Sequence, residues 1–336
     1  MIITRTPFRV PFGGGGTDLP GFYKKHGGFI FSATIDKYMY ISLNRLVLDK
    51  LVKIRYSKSE TVASVREIQH DLAREALTFM GIENSIEITS FADIPSGTGM
   101  GSSLCYLVGL LKALHTLNRK EVDMQQLAEE ASHIEMEILK SPIGKQDQYM
   151  AAFGGFLEMH IDKDGKVEVK RPKISQDTID ELEYKVSLYF TNKFHDSNDI
   201  LKHQQEQIAS DKEVEKAMLN IKDIGIQIKS EMEKGNLANF GKLLDQHWQE
   251  KKKISHKMSD NELNGLYSLA MANGAEGGKI MGSGGGGLFM FFTPNNDGKK
   301  KLKATLEAKG LKEMKYNFDF EGAKVLLNVF QRNNEN

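Results

Sequence analysis

The chain has 336 residues, 40% of them hydrophobic and 27% charged, with 45 basic side chains balanced by 45 acidic ones. That balance excludes the basic footprint of a nucleic-acid binder and the charge asymmetry of a membrane-surface protein, and the length suits two domains or one large one. A single cysteine, Cys105, lies in an apolar run, so an internal disulfide and a cysteine-type zinc site are both excluded and a small core residue is expected. The first residues lack the apolar centre of a signal peptide, and no stretch approaches the ~18 apolar residues of a membrane span. A cytoplasmic protein is expected.

In chain order, the first notable stretch is Pro7-Phe8-Arg9-Val10-Pro11-Phe12-Gly13-Gly14-Gly15-Gly16-Thr17-Asp18-Leu19-Pro20. Its glycines let a ligand approach the backbone closely. Asp18 offers two acceptor oxygens to vicinal hydroxyls, and Arg9 offers a fixed charge to phosphate. A glycine turn with Asp18 capping a short helix over 19–23 is the plainer reading, and both roles can coexist. Residues 29–44 alternate as one or two strands, residues 61–80 carry helical spacing, and residues 86–91 form a short alternating strand.

That strand leads into Asp93-Ile94-Pro95-Ser96-Gly97-Thr98-Gly99-Met100-Gly101-Ser102-Ser103, followed by an apolar run over 104–114 that reads as a buried helix. A glycine loop opening a helix gathers free N–H groups and the positive end of the helix dipole, which suits phosphate. No Lys-Ser or Lys-Thr follows the glycines, so the loop is not a Walker A motif, and its G-x-G-x-G spacing is not the dinucleotide fingerprint.

Residues 124–139 read as the next helix. At about 100° per residue, Leu127, Ala128, Ala131, Ile134, Ile138 and Leu139 share an arc that also contains Glu135. A carboxylate on a buried face needs a cation, a metal or a set of donors. Glu135 is therefore either salt-bridged at the edge of the face or a Mg²⁺ ligand aimed at phosphates. Twelve residues later, Asp147 stands in a polar stretch after Pro142; it can cap the next helix or orient and deprotonate an attacking hydroxyl. Residues 154–160 and 167–169 read as a hairpin around Lys163-Asp164-Gly165-Lys166.

Beyond residue 174 the chain becomes helical and charged, with helices over 198–232, 237–254 and 261–272. A second glycine run, residues 282–287, stands before a strand over 288–292 as a hairpin or a close approach to ligand. A final helix and strand follow, and residues 331–336 look frayed. His195-Asp196 lacks companion histidines for a metal phosphohydrolase site. His247-Trp248 lies among charges and reads as a solvated or packing position. The domain boundary is placed between residues 175 and 176.

Three motifs in order, Pro-x-Arg with glycines and Thr-Asp, then Pro-x-Gly-x-Gly-x-Gly-Ser-Ser, then Lys-x-x-Gly-x-Gly-Gly-Gly-Gly, span residues 7–287. This arrangement resembles the GHMP small-molecule kinases. The resemblance implies an α+β, two-domain fold: an N-terminal domain like ribosomal protein S5 domain 2 over 1–175, and a ferredoxin-like C-terminal domain with added helices over 176–336. It implies ATP and Mg²⁺ as cofactors. Pro95, Gly97, Thr98, Gly99, Met100, Gly101, Ser102 and Ser103 would bind the nucleotide, and Ser103 (or Ser102) with Glu135 would hold the metal. Asp147 and Arg9 would be catalytic, and the acceptor would meet Arg9, Gly15, Gly16, Asp18, Asp147, Gly284 and Gly285.

Within the family, Phe12 to Pro20, Gly27-Gly28 and Ser32 to Tyr38 look most like the D-glycero-D-manno-heptose 7-phosphate kinases. Galactokinases usually carry Gly-Glu-His before Thr-Asp, where this chain has Gly14-Gly15-Gly16. The resemblance implies transfer of phosphate to the anomeric hydroxyl, with Arg9, Lys145 and Lys193 as candidates for the acceptor's own phosphate. The alternatives are a kinase for fucose, galactose or mevalonate, or a ligand sensor that has lost catalysis. Expected partners are ATP and a small sugar or sugar phosphate, with no nucleic acid and no membrane, and with a homodimer allowed.

Overall fold

The computed structural model describes residues 1–194 and 197–330. In its first half the chain runs β1 (Ile2–Gly13), α1 (Pro20–His26), β2 (Gly28–Arg45), β3 (Val52–Arg55), β4 (Ser59–Val62), α2 (Asp71–Phe79), β5 (Ile86–Ala92), α3 (Ser102–Leu117), α4 (Met124–His133), α5 (Gln146–Phe153), β6 (Phe156–Ile161) and β7 (Val167–Lys170). It continues through α6 (Gln176–Lys185), β8 (Val186–Phe190), α7 (Ser197–Ser210), α8 (Lys212–Glu233), α9 (Phe240–Ile254), α10 (Asn261–Ala272), β9 (Gly277–Ile280), β10 (Leu288–Phe292), α11 (Asn296–Ala308), β11 (Lys312–Met314), β12 (Phe318–Asp319) and β13 (Lys324–Asn328).

Two sheets organise these elements. The nine-stranded sheet is centred on β1 and β2, with the order β13-β1-β2-β5-β3-β4 and with β6, β7 and β12 joined on β2's side. Strand β1 is buried along its whole second half, because α3, α5 and α8 all pack on it. The four-stranded sheet has the order β11-β8-β10-β9, antiparallel throughout. In chain order that is 4-1-3-2, the ferredoxin-like arrangement, with α7 to α10 filling the first crossover. Strand β10 is buried at every residue, and its alternation divides it between two cores. Phe289 and Phe291 join Tyr189, Trp248 and Tyr267, while Leu288, Met290 and Phe292 join the large core that includes the first sheet.

Helix α8 ties the two units together. Lys222 donates to the carbonyls of His26 and Gly27, and Lys229 pairs with Glu158 on β6.

Several expected elements differ in extent. The helix expected over 61–80 begins at Asp71; before it, Ser59–Val62 pairs with β3 and Val65–Glu67 makes one 3-10 turn. Pairing to an adjacent strand outweighs the weak helical spacing there. The helix expected over 198–232 is two, broken where the Asp211 side chain accepts from Glu213 N–H and caps α8. The helix expected over 124–139 passes into a π-helical turn at Ile134–Ile138. The hairpin of β6 and β7 and the strand β10 stand where expected. The boundary at 175/176 falls between β7 and α6, yet β12 and β13 return to hydrogen-bond with β2 and β1. Cys105 is buried, and its thiol donates to Pro7 O at 3.3 Å.

Candidate active site

Helix α3 is aimed by β5 and the loop between them. Gly101 stands at its N-cap with φ 78°, and Gly97 and Gly99 have φ of 78° and 77°. Alternating left-handed residues turn successive N–H groups toward one side, where the unpaired amides of the first helical turn also point. The second glycine run is the β9–β10 hairpin, and it backs this loop: a side chain at Gly282 would strike the Gly99 backbone, and one at Gly287 the Thr98 backbone. The loop therefore rests on the second domain.

In front of it lies a cleft of about 570 Å³. Arg9 and Asp147 meet within it. The Arg9 guanidinium donates through Nε and Nη2 to the two carboxylate oxygens at 2.7 and 2.9 Å, and through Nη1 to Gly99 O at 2.6 Å. A two-point fork of this kind fixes both planes. Asp147 lies in the first turn of α5, but its side chain turns to Arg9 and does not cap that helix.

Asp18 takes over that end of α5. Its Oδ2 accepts from Gln146 N–H at 2.9 Å and its Oδ1 from Gly16 N–H at 3.2 Å. Leu19, not Asp18, is the N-cap of α1. Burial raises the Asp18 pKa against the opposing pull of those amides, and the neighbouring Asp147 charge adds to the rise.

Glu135 is buried, as its arc position predicts, and it sits in the π-helical turn. Gln148 donates to its Oε2 at 3.0 Å. No salt bridge to it occurs among the described residues, which removes the edge-of-face ion-pair reading. Burial pushes its pKa up to about 8, with Asp147 adding repulsion. A carboxylate so disfavoured as an anion suits a cation arriving with a ligand.

Arg9, Gly15, Gly16, Asp18, Gly97, Gly99, Met100, Gly101, Ser102, Ser103, Glu135 and Asp147 all line the cleft. Six expected residues do not. Thr98 turns its hydroxyl back to Pro95 O at 3.0 Å, so this pair braces the loop from behind. Gly284 and Gly285 face Met258, whose carbonyl accepts from Gly285 N–H. Lys145 is spent on Glu129 and Gly165 O, and Lys193 on Asp260 and Glu262. His195-Asp196 and residues 331–336 lie outside the described residues.

The lining residues not anticipated from the sequence include three basic side chains, His247, Lys251 and Lys279. His247 and Trp248 are 1% and 0% exposed, so the solvated reading of that pair is wrong. Trp248 belongs to the second core. The signal was available: Leu244, His247, Trp248 and Lys251 are spaced i, i+3, i+4, i+7 along α9, the same arc test that singles out Glu135. Lys251 hides there because three lysines in a row read as a solvated face.

Among known proteins, the family model described as the GHMP kinases N terminal domain matches residues 61–155, and the GHMP kinases C terminal model matches residues 228–312. A D-glycero-alpha-D-manno-heptose 7-phosphate kinase of Campylobacter jejuni is 30% identical over 96% of this chain and 98% of its own. The crystal structure of a D-glycero-D-manno-heptose 1-phosphate kinase from Bacteroides thetaiotaomicron superposes with a TM-score of 0.79 at 26% identity, covering 98% of this chain and 100% of that one. A phosphomevalonate kinase of Streptococcus pneumoniae, at 14% identity and a TM-score of 0.78 over 95% of this chain and 100% of its own, shares the fold.

Proposed function

The chain belongs to the GHMP kinases, and on that premise we propose that it transfers the γ-phosphate of ATP to the anomeric hydroxyl of D-glycero-D-manno-heptose 7-phosphate, giving the 1,7-bisphosphate. Family membership makes it an ATP-dependent sugar kinase, a transferase of carbohydrate metabolism. The choice of acceptor is supported by the near-full-length match to the heptose 7-phosphate kinase. The observation that carries the chemistry is the fork between Arg9 and Asp147, held against Gly99 of the phosphate loop.

Phosphoryl transfer needs a phosphate cradle, a positioned nucleophile and compensation of spreading negative charge. The loop from Gly97 to Ser103 is the cradle. Asp147 accepts the proton of the anomeric hydroxyl, or orients it, through lone pairs the fork leaves free. That hydroxyl is more acidic than an ordinary alcohol, so a carboxylate held by arginine is a sufficient partner. Arg9 supplies fixed positive charge where the phosphoryl group passes. Gly15, Gly16 and Asp18 face the sugar.

The residues present fit Mg²⁺. Glu135 is a buried carboxylate with no cationic partner among the described residues, and the hydroxyl of Ser103 lines the same cleft. An oxygen-only donor pair completed by phosphate and water is what this ion takes. Bound there, it would neutralise charge on the β- and γ-phosphates. No helix of the described residues is long and apolar enough to cross a membrane; a cytoplasmic reaction is part of the proposal.

A coupled ADP-release assay across heptose 7-phosphate, free heptose, fucose, galactose and mevalonate tests the reading. Turnover highest with heptose 7-phosphate is expected. Activity on fucose with none on heptose 7-phosphate would overturn it, and intact ATP binding without ADP release from any acceptor would point to a ligand sensor.

A further inference from the structure

The cleft carries more positive charge than the Arg9–Asp147 fork explains. His247 and Lys251 lie one turn apart on α9, and Lys279 lies on β9 beside it; they are 1%, 6% and 2% exposed. The ammonium of Lys251 donates to Gly282 O, and that of Lys279 to Phe12 O at 2.8 Å. Each ammonium has three donors, and one bond apiece is made among the described residues. Neither lysine forms a salt bridge there. Both ring nitrogens of His247 are buried without a hydrogen-bond partner among the described residues.

Buried charges are normally paired, because leaving water is expensive. Among the described residues no carboxylate pairs with either lysine: Asp147 is already engaged by Arg9, Asp18 by two backbone amides, and Glu135, on the same cleft, by Gln148. The missing partner is an anion brought by a ligand. Two lysines and an imidazole offer several convergent donors, which suits a phosphate monoester.

Position favours the acceptor's phosphate over the nucleotide's. Lys279 is anchored on Phe12 O, in the strand that carries Arg9 and leads to Gly15, Gly16 and Asp18. The nucleotide phosphates already have the amides at the head of α3. Lys193 and Lys145, the other lysines considered for this role, are neutralised elsewhere.

We propose that Lys251, Lys279 and His247 form a subsite for a phosphate monoester, and that it holds the phosphate the acceptor already carries; this second clause rests on the heptose 7-phosphate reading. Burial and the nearby Arg9 bring the Lys251 pKa down to about 7, and burial, Lys251 and Arg9 depress that of Lys279. A bound dianion relieves both.

The test uses the full chain with Lys251→Met and Lys279→Met, which remove charge but keep most of the volume. The readouts are kcat/KM for heptose 7-phosphate relative to unphosphorylated heptose, and the Kd of a non-hydrolysable ATP analogue. Preference for the phosphorylated sugar is expected to fall about 10- to 100-fold, the scale of one charged hydrogen bond, with nucleotide affinity unmoved. A fall in nucleotide affinity with the preference intact would overturn the proposal.

Thermal unfolding with added inorganic phosphate separates the two readings and confirms that the variants fold. Phosphate is expected to raise the Tm of the wild type but not of Lys251→Met. If that difference held while the wild type acted only on unphosphorylated sugars, the heptose 7-phosphate reading would fail and the anion site would stand. If heptose 7-phosphate were the substrate and both variants kept the wild-type preference, the subsite would fail and the functional reading would stand.

Discussion

A side chain at Gly101 would lie 2.6 Å from Oδ2 of Asp147. The N-cap of α3 and the Asp147 carboxylate thus leave no room for a side chain between them. Gly101→Ala carries two penalties: the left-handed φ of 78°, costing about 1–2 kcal/mol for an L-residue, and displacement of Asp147 from its fork. The chain should still fold, with a lower Tm, while kcat falls at least about tenfold, because small misplacements of reacting groups are costly. Steady-state kinetics beside a melting curve checks this; an unchanged kcat would show that the contact is not needed.

Asp147→Ala is expected to lower turnover by about 10²- to 10⁴-fold, the range for removal of a general base, with affinity for a non-hydrolysable ATP analogue retained. It also strands Arg9, whose side chain is 7% exposed. Breaking a buried pair on one side destabilises by about 3–5 kcal/mol. Arg9→Met combined with Asp147→Leu should recover much of that stability and none of the activity, which chemical denaturation and an ADP assay read separately.

Glu135→Gln keeps the shape of the buried side chain and removes its charge. Burial already holds the native carboxyl toward its neutral form, with a pKa up to about 8, so the variant should melt at or above the wild-type temperature in the presence of a chelator. Its activity should demand at least about tenfold more Mg²⁺, the scale on which metal affinity answers to its ligands and their supports. A Mg²⁺ titration that superposes on the wild type would remove Glu135 from the metal site.

Lys251 sets a stability profile with a definite sign. Its pKa in the fold is about 7, against 10.5 ordinarily. Between those values the unfolded chain holds a proton that the folded chain has lost, so this residue makes stability rise with pH across the window. Below pH 7 the charged ammonium is buried at full cost, in company with Lys279, Arg9 and His247. Lys251→Met should therefore gain most in Tm over the wild type near pH 6.5, and the gain should shrink toward pH 10. Melting curves across that range, without phosphate, decide it; a constant difference would contradict the profile.

Legibility followed the range of the interactions. The strand–loop–helix unit from Ile86 to Leu117 could be read because each part is local: alternation, alternate glycines and an apolar run. Glu135 could be read because a helix reports burial through spacing alone. The strand β1 could not, since Pro7, Pro11 and the glycine run that begins at Gly13 suggest a loop, and it is a strand only because β2 and β13 pair with it. Lys279 belongs to the third motif, but a lysine in a strand gives no sign of which face will be sealed.

Order along the chain was enough to set out the glycine loop and the buried carboxylate, because those depend on neighbours within one or two helical turns, and the kinase resemblance, because each of its three motifs is local and their order is read directly from the chain. Tertiary structure alone decided that Arg9 grips a carboxylate 138 residues away, that the last strands rejoin the first sheet, and that two lysines are shut inside the cleft with no salt bridge among the described residues. Desolvation and charge pairing depend on what packs from distant segments, and only the folded chain brings those segments together.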